Sequence, residues 1–321
     1  MKPDDEDAPL LRRASAREEP VHDFAALSRI EGLEFATALL HDRILRVPEN
    51  AGFLRAAREA GRAASINADL IGVVPGAFHR EHRGTGADGA RVLAIAREVG
   101  CEAELIPTGS FATFSESARA IVNWLDAHRG RRIALVSLSK GGADVKHALR
   151  TPDAFGSVAA WVSLSGIVQG TPLVAWLRKR PLRWWSVRLL LWWRGYSGQT
   201  LEDLRHGPGA PLSSWPALPA HLTVVHVCAF PLRRHLAHPW ATRAYERLAP
   251  LGPNDGGGIL LADALTLPGF VCPVWGADHY LAPRWDVLPL LKGIISVALA
   301  PRHASLSASQ PSTAPATRSS A

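Results

Sequence analysis

Residues 133–142 read IALVSLSKGG, and the interpretation of the whole sequence depends on this stretch. The apolar run Ile133–Val136 is typical of a strand that is buried on both faces. Ser139 follows it in a short turn, two glycines come next, and residues 143–150 have helical spacing. A strand, a sharp turn with a serine at its apex and a helix form a nucleophile elbow, which holds the hydroxyl above the sheet edge. We therefore predict that Ser139 is a nucleophile.

The residues two positions before and after this serine must be small, because larger side chains would collide with the neighbouring strand and helix. Here they are Ser137 and Gly141. The usual elbow pattern is G-x-S-x-G, so Ser137 departs from it at the first position. A near-copy, VSLSG at residues 162–166, has no immediate helix after it and soon meets Pro172. We interpret this copy as the end of the next strand.

Length and composition allow one large α/β domain. The chain has 321 residues, 47% of them hydrophobic, and a net charge of +7 that is carried mostly by arginine. No basic patch interleaved with aromatics matches a nucleic-acid-binding motif, so no nucleic-acid partner is expected.

The three cysteines have neither zinc-site nor disulfide spacing, and we expect no metal or cofactor. The charged N-terminus lacks the apolar core of a signal peptide, which makes the cytoplasm the default location.

Strand-like and helical segments alternate along the chain, which predicts right-handed crossovers and a mostly parallel sheet flanked by helices. The uncharged stretch 157–177 is long enough to span a bilayer, but its glycines, its proline and its strand-like first part argue against a transmembrane helix. The predicted strands are 69–74, 103–107, 133–136, 158–164, 223–229 and 270–275.

We predict three segments in the chain. Residues 1–24 are polar and are expected to be disordered. Residues 25–299 form the α/β domain, with an insert at about 167–218 that is rich in Trp, Arg and Pro and holds more than half of the 11 tryptophans. Residues 300–321 form a Ser/Pro/Ala-rich tail that is also expected to be disordered.

A serine nucleophile needs a base, and the base needs an acid that orients it. His279 follows the last predicted strand, at the sheet edge where ligands gather, and is the favoured base. Asp255, in a Gly-rich turn before the last helix and strand, is the favoured acid. Weaker alternatives remain for both roles. They are His226, His235 and His238 for the base, and Asp263 and Asp278 for the acid.

An oxyanion hole completes such a site. One donor should be the backbone N–H of Lys140, directly after the nucleophile, and the other should come from the loop after an early strand. The Pro-Gly turn at residues 75–76 can expose the N–H of Ala77 or Phe78. The Lys140 side chain would either bring a cation near the site, favouring acidic substrates or lowering the pKa of His279, or simply be solvated.

The order of strand–PGAF (75–78), SLSKGG (137–142), NDG (254–256) and GADHY (276–280) resembles the α/β-hydrolase superfamily, in its lipase and esterase branch. The resemblance covers about residues 68–299. It implies the α/β-hydrolase fold, a Ser139–Asp255–His279 catalytic triad, and acyl transfer to water through an acyl-enzyme. Departures from the family pattern are Ser137, Pro75 where many lipases have histidine, and little sign of the first two strands.

The superfamily carries a lid where this chain has its Trp- and Arg-rich insert. The expected lid and substrate residues are Trp184, Trp185, Trp192 and Trp193. Arginines flank this apolar run, which makes it amphipathic enough for transient contact with a membrane surface. The expected substrate is a small-molecule or lipid-like carboxylic ester with an apolar moiety. A thioesterase or acyltransferase with the same triad, and a non-catalytic binding protein of this fold, are the alternatives.

Overall fold

The computed structural model describes residues 6–62, 66–281 and 287–300. Within these ranges six strands form one parallel sheet in the order β2-β1-β3-β4-β5-β6. The strands are β1 (Leu70–Val74), β2 (Ala103–Leu105), β3 (Ile133–Leu138), β4 (Val158–Leu164), β5 (Thr223–Phe230) and β6 (Phe270–Trp275). The helices are α1 (Ala8–Ser15), α2 (Phe24–Glu31), α3 (Leu33–Leu45), α4 (Pro48–Ala60), α5 (Ala90–Glu98), α6 (Phe114–Ala127), α7 (Lys140–Ala148), α8 (Pro172–Arg178), α9 (Pro181–Trp193), α10 (Gln199–Asp203), α11 (Pro239–Leu248) and α12 (Val287–Ala298). The predicted α/β class and parallel sheet are confirmed.

The strand order reverses between β1 and β3. β2 lies on one side of β1, whereas β3 to β6 follow one another on the other side. Loops that leave the carboxyl ends of two such strands diverge and open a crevice, which is the usual place for a ligand site in an open α/β sheet. The register pairs Val74 with Ser137, so the loop after β1 begins beside the elbow after β3.

Alternate residues of β3 pack on opposite faces of the sheet. Ala134 and Val136 join a hydrophobic cluster with α4, α5 and α12, whereas Ile133 and Leu135 join another with α6 and α7. All four side chains are fully buried. Because helices cover both faces, the strand is a continuous apolar run with no alternation of apolar and polar residues.

Residues 6–24 differ from the disordered segment that we predicted for residues 1–24, and residues 1–5 lie outside the described residues. α1 is helical, and the carboxylate of Asp7 beside it is buried. Asp7 accepts a hydrogen bond from Nε1 of Trp275 at 2.7 Å and pairs with Arg234 and His235. Arg234 and Trp275 come 227 and 268 residues after Asp7, so the composition of the N-terminal segment alone could not reveal the interactions that order it.

The connection from β4 to β5 contains α8, α9 and α10, within the range predicted as an insert. The uncharged stretch 157–177 is therefore a strand, a loop and most of a short helix. In the described ranges, no helix combines the length and the apolar character that a membrane crossing requires. Of the predicted tail, residues 301–321 lie outside the described residues.

Candidate active site

Ser139 lies in a sharp turn between β3 and α7, as the elbow pattern predicted. Its backbone has φ 49° and ψ −117°, a conformation that residues other than glycine rarely adopt. Three hydrogen bonds hold this strained turn. The N–H of Ser139 donates to the carbonyl of Leu164 at 3.0 Å, and its own carbonyl accepts from Gly142 at 3.0 Å and Ile167 at 2.9 Å. The surrounding structure thus over-determines the serine's position, as a strained functional residue requires.

The positions that flank the elbow leave little space. A β-carbon on Gly141 would lie 2.6 Å from the carbonyl oxygen of Val74 and 2.7 Å from that of Pro75. Ser137 is fully buried, and its Oγ accepts a hydrogen bond from Nε1 of Trp161 at 2.9 Å. A serine therefore fits at the first elbow position because its hydroxyl has a partner on the adjacent strand.

The near-copy of the elbow behaves as predicted for a strand end. β4 ends at Leu164, and Ser165 follows it with φ 43°. No helix begins directly after it, and its Oγ is buried with no hydrogen-bond partner in the described part of the chain. A positive φ and the VSLSG letters alone therefore do not make a nucleophile, because no base reaches this hydroxyl.

His279 and Asp255 lie in line with Ser139. Nε2 of His279 is 2.8 Å from Oγ of Ser139, and Nδ1 is 2.5 Å from Oδ2 of Asp255. Both His279 and Asp255 are almost fully buried, whereas Ser139 is partly exposed and lines a pocket. In the neutral imidazole, Nδ1–H donates to the carboxylate and Nε2 accepts the serine proton, which is the arrangement that general-base activation requires.

Asp255 is held by the Gly-rich turn in which the sequence placed it. Its Oδ1 accepts backbone N–H groups from Gly257 at 2.9 Å, Gly258 at 3.1 Å and Ile259 at 3.0 Å. Its carbonyl accepts the N–H of His279 at 2.9 Å. One carboxylate oxygen is thus occupied by the turn, and the other is left for the imidazole.

The alternative acids have other partners. Oδ2 of Asp263 lies 3.0 Å from Nε2 of His206, and Asp278 accepts the backbone N–H groups of Ala237 and Tyr280. The structure does not bring either carboxylate to Nδ1 of the histidine beside Ser139.

The alternative bases are likewise engaged elsewhere. His226 is buried in the core against Trp161, and burial lowers its pKa to about 3. His235 pairs with Asp7, and His238 lies against aromatic rings. Within residues 6–62, 66–281 and 287–300, no three His, Cys, Asp or Glu side chains are grouped as a metal site would need.

The pKa of His279 is raised above its usual value. Burial alone would lower it, but the charge of Asp255, the hydrogen bond to Asp255 and the charge of Asp278 together outweigh burial. The carboxylates therefore stabilise the imidazolium that would form when the histidine takes a proton from Ser139. Our expectation that Lys140 lowers the pKa of His279 is wrong.

Lys140 is neither a cation facing the site nor a solvated side chain. Its Nζ is buried and lies 2.7 and 2.9 Å from the carboxylate oxygens of Asp144, one helical turn later. It also faces the ring of Phe114, 5.6 Å from the centroid. A buried, neutralised ammonium does not favour acidic substrates, so the helical i, i+4 spacing to Asp144 was the signal that we missed.

The loop after β1 holds two backbone N–H groups that we predicted as oxyanion donors, and one of them already has an acceptor. The N–H of Phe78 donates to the carbonyl of Ser110 at 2.7 Å, so Phe78 is excluded as a donor and this prediction is corrected. The N–H of Ala77 has no acceptor among the described residues, and Lys140 is the first residue of its helix, where an N–H has no intrahelical partner. These two amides remain available at the crevice.

A pocket of about 180 Å³ opens at Ser139 and His279. Its walls are mostly apolar, and Trp240 and Tyr280 stand together on one side with ring centroids 4.3 Å apart. Tyr280 adjoins the predicted base and could have been suspected from that position. Trp240 is the second residue of α11, and no local pattern marks it. The wall also includes Phe78, Leu138, Leu164 and Ile167.

The four tryptophans predicted as substrate and lid residues are not in the described wall of this pocket. Trp184 is half-buried against the hydrophobic cluster that includes Ala77 and Phe78. Trp185, Trp192 and Trp193 are 66%, 72% and 75% exposed to solvent. The structure therefore does not bring the four predicted side chains to this pocket, because Trp184 packs against the cluster beneath α9 and the other three rings are exposed to solvent.

The comparisons with known proteins show that this chain resembles solved structures in its fold. No family model and no curated protein matches the chain. Among solved structures, it is similar to the mature lipase BlEst2 of Bacillus licheniformis, with a TM-score of 0.52, 17% identity, and coverage of 71% of this chain and 92% of that one. It is also similar to the metagenomic carboxyl esterase MGS0156, with a TM-score of 0.46, 22% identity and coverage of 73% of each chain.

Proposed function

This protein has the α/β-hydrolase fold, and we propose that it hydrolyses carboxylic esters through an acyl-enzyme on Ser139. The observation that carries the proposal is the continuous hydrogen-bonded line from Ser139 through His279 to Asp255 at a strained elbow. Fold alone does not determine chemistry, whereas a nucleophile, base and orienting acid in contact are the parts that acyl transfer needs.

The residues suggest a two-stage reaction. Oγ of Ser139 attacks the ester carbonyl carbon while its proton moves to Nε2 of His279, and the N–H groups of Ala77 and Lys140 bind the oxyanion. The tetrahedral intermediate then expels the alcohol oxygen, which takes the proton from Nε2 as the C–O bond breaks. Water repeats the sequence on the acyl-enzyme, with His279 as its base, and releases the acid and the free serine. Asp255 holds the imidazolium in both stages.

The pocket supports an apolar group on one side of the ester. Its volume of about 180 Å³ and its wall of Leu138, Leu164, Ile167 and Trp240 suit a short acyl or alcohol chain. Among the described residues of the wall there is no Asp, Glu, Lys or Arg that would favour an ionic substrate, and Lys140 nearby is paired with Asp144. A thioester of similar shape would use the same groups, and a direct comparison of matched oxygen esters and thioesters distinguishes the two.

We keep the lid as part of this proposal. Trp184 and Val187 of α9 pack in the same cluster as Ala77 and Phe78, so α9 covers the loop that supplies an oxyanion donor. Deleting residues 182–195 should change the chain-length preference or the response to emulsified substrate. Unchanged kinetics on both soluble and emulsified esters would remove the lid from the proposal.

Fluorophosphonate labelling tests the catalytic proposal directly. Wild-type protein should be labelled, whereas Ser139→Ala and His279→Ala should not, because both the nucleophile and its base are needed. Ser165→Ala is the matched control, since Ser165 has the same φ sign but no base, and it should be labelled as wild type is. Labelling that persists in Ser139→Ala, or a folded wild type that does not react, would overturn the proposal and favour a non-catalytic binding protein.

A further inference from the structure

Helix α9 has two apolar stripes, and only one of them packs against the described part of the protein. Trp184, Val187 and Leu191, at spacings of three and four residues, pack in the hydrophobic cluster beside the site. A helix that is apolar on its outer face as well needs a second apolar environment. The geometry points to a lipid bilayer, and we propose that the outer face of α9 docks this protein on an anionic phospholipid membrane.

The outer stripe is large and strongly exposed. Leu182, Trp185, Leu189 and Trp192 follow one another at spacings of three and four residues, which places them on one face of the helix. Their exposed fractions are 85%, 66%, 63% and 72%, and Trp193 beside them is 75% exposed. Contiguous exposed leucine and tryptophan are typical of an interaction surface, and tryptophan is favoured where hydrocarbon meets water.

The charge around this stripe has one sign. Between Asp153 and Glu202 the chain has six Lys and Arg side chains and no Asp or Glu. Helical spacing places Arg183 between the outer and inner stripes on one side of α9 and Arg188 between them on the other, and Arg194 caps the end of the helix. Cations that flank an apolar helix face lie at the level of the lipid headgroups when the face is embedded.

A second group of arginines extends the positive surface. The guanidinium groups of Arg180, Arg183 and Arg247 lie 3.9, 5.5 and 4.3 Å from the ring centroid of Trp176. None of these three has a carboxylate within 4 Å in the described ranges. Burial, followed by the charges of Arg183, Arg243 and Arg180, lowers the pKa of Arg247. Such mutual repulsion is relieved by an anionic partner, and phosphate groups at a bilayer surface supply one.

The same charges argue against a second copy of this chain as the occupant. A two-fold dimer through α9 would place the outer stripe against itself and bring its bordering arginines together. Like charges brought together in this way oppose association. A bilayer with acidic headgroups satisfies both features, because its interior accepts the leucines and tryptophans and its surface pairs with the arginines.

Docking would place the candidate active site beside the membrane. Tyr196 follows α9 and contacts the ring of Phe78, with centroids 6.0 Å apart, and its hydroxyl donates to Glu81. Phe78 lines the pocket at Ser139. The docking itself does not depend on the proposed hydrolysis, and the two can therefore be tested separately.

Sedimentation with vesicles tests the proposal. The full chain is mixed with vesicles of phosphatidylcholine, or with vesicles in which phosphatidylglycerol replaces about a third of it. We expect binding to the mixed vesicles to be at least about tenfold tighter and to weaken with salt, because screened charges attract less. Equal binding to both vesicle types, or none to either, would overturn the proposal.

Two variants locate the surface. Leu182→Ser/Leu189→Ser/Leu190→Ser removes exposed apolar groups, and Lys179→Gln/Arg183→Gln/Arg194→Gln removes three exposed charges. Each should weaken binding to the mixed vesicles by about tenfold or more. The controls are Ile30→Ser, at a residue 81% exposed elsewhere, and Arg29→Gln/Arg55→Gln/Arg97→Gln, which changes net charge equally. Controls that lose as much binding as the α9 variants would contradict the assignment.

Two parallel measurements separate the remaining outcomes. Hydrolysis of a soluble short ester is followed in every variant, so an inactive protein that still binds vesicles refutes the proposed function and leaves the docking intact. The molecular mass in solution is measured without lipid. A dimer that the leucine substitutions dissociate would show that a second copy covers α9 and would overturn membrane docking.

Discussion

The imidazole of His279 lies directly against the backbone of Gly257, and no side chain fits between them. A β-carbon on Gly257 would lie 1.9 Å from Cγ of His279. The N–H of the same glycine donates to Asp255 at 2.9 Å. One residue without a side chain therefore allows the close approach of the imidazole and orients the acid beside it.

Replacing Gly257 with alanine should displace the imidazole and preserve the rest of the fold. A shift of about 1 Å in a catalytic group can reduce the rate by about 100-fold, and we expect a loss of that size in kcat on a soluble ester. The control is Gly52→Ala, because a β-carbon there meets open space. A Gly257→Ala variant with the kcat of the Gly52→Ala variant would show that the ring position is unimportant.

The pH profile of kcat/KM should report the raised pKa of His279. Only the neutral imidazole can accept the serine proton, so activity should fall as pH drops through a pKa above the usual 6.5. Asp278→Asn removes one of the charges that raise this pKa, and the acidic limb should move to lower pH. Asp263→Asn is the control, since Asp263 faces His206. An acidic limb that stays in place in Asp278→Asn would contradict the charge argument.

The hydrogen bond from Trp161 to Ser137 should stabilise the strand that ends at the elbow. Ser137→Ala leaves a buried indole N–H without its acceptor, which should lower the free energy of unfolding by about 1–3 kcal/mol. In a Trp161→Phe background the same change should cost much less. Denaturant unfolding of the two single variants and the double variant measures this coupling. Equal costs in both backgrounds would mean that the bond contributes nothing.

The N-terminal segment should contribute to stability through Asp7. Asp7→Ala removes the partner of Trp275, Arg234 and His235, and we expect the free energy of unfolding to fall by about 1–3 kcal/mol. Glu6→Ala changes an exposed neighbour and should stay within about 0.5 kcal/mol of wild type. If the two variants unfolded alike, the contacts of Asp7 would not be what orders the segment.

Most of the fold could be predicted because its signals are local. The apolar run before Ser139, the glycines after it and the helical spacing that follows lie within 20 residues or so of one another, which is the range over which periodicity operates. Chain order then indicated His279 after the last strand and Asp255 in the turn before it. Parallel strands bring their carboxyl ends to one edge, so these positions could be expected to meet.

Apart from Lys140, whose partner Asp144 is one helical turn away, the errors concern partners that lie far apart in the sequence. A Pro-Gly turn indicates that a loop can expose its amides, but not that Ser110 occupies the one on Phe78. Composition indicates a polar N-terminus, although Asp7 is buried against residues more than 200 positions later in the chain. The tryptophans of α9 are expected at the substrate because the insert stands where the superfamily carries a lid, but neither that resemblance nor helical periodicity says which face of the helix meets the protein.

The sequence by itself determined the α/β class, the position of the serine elbow, and which histidine and aspartate the chain order brings to it. These features follow from local backbone preferences and from the order of strands and helices along the chain. Only the tertiary structure decided which backbone amides are left for an oxyanion, and that one side of α9 is exposed in the described part of the chain. Such properties depend on distances between groups remote in sequence, because a charge or an N–H is available only when no folded neighbour has already paired with it.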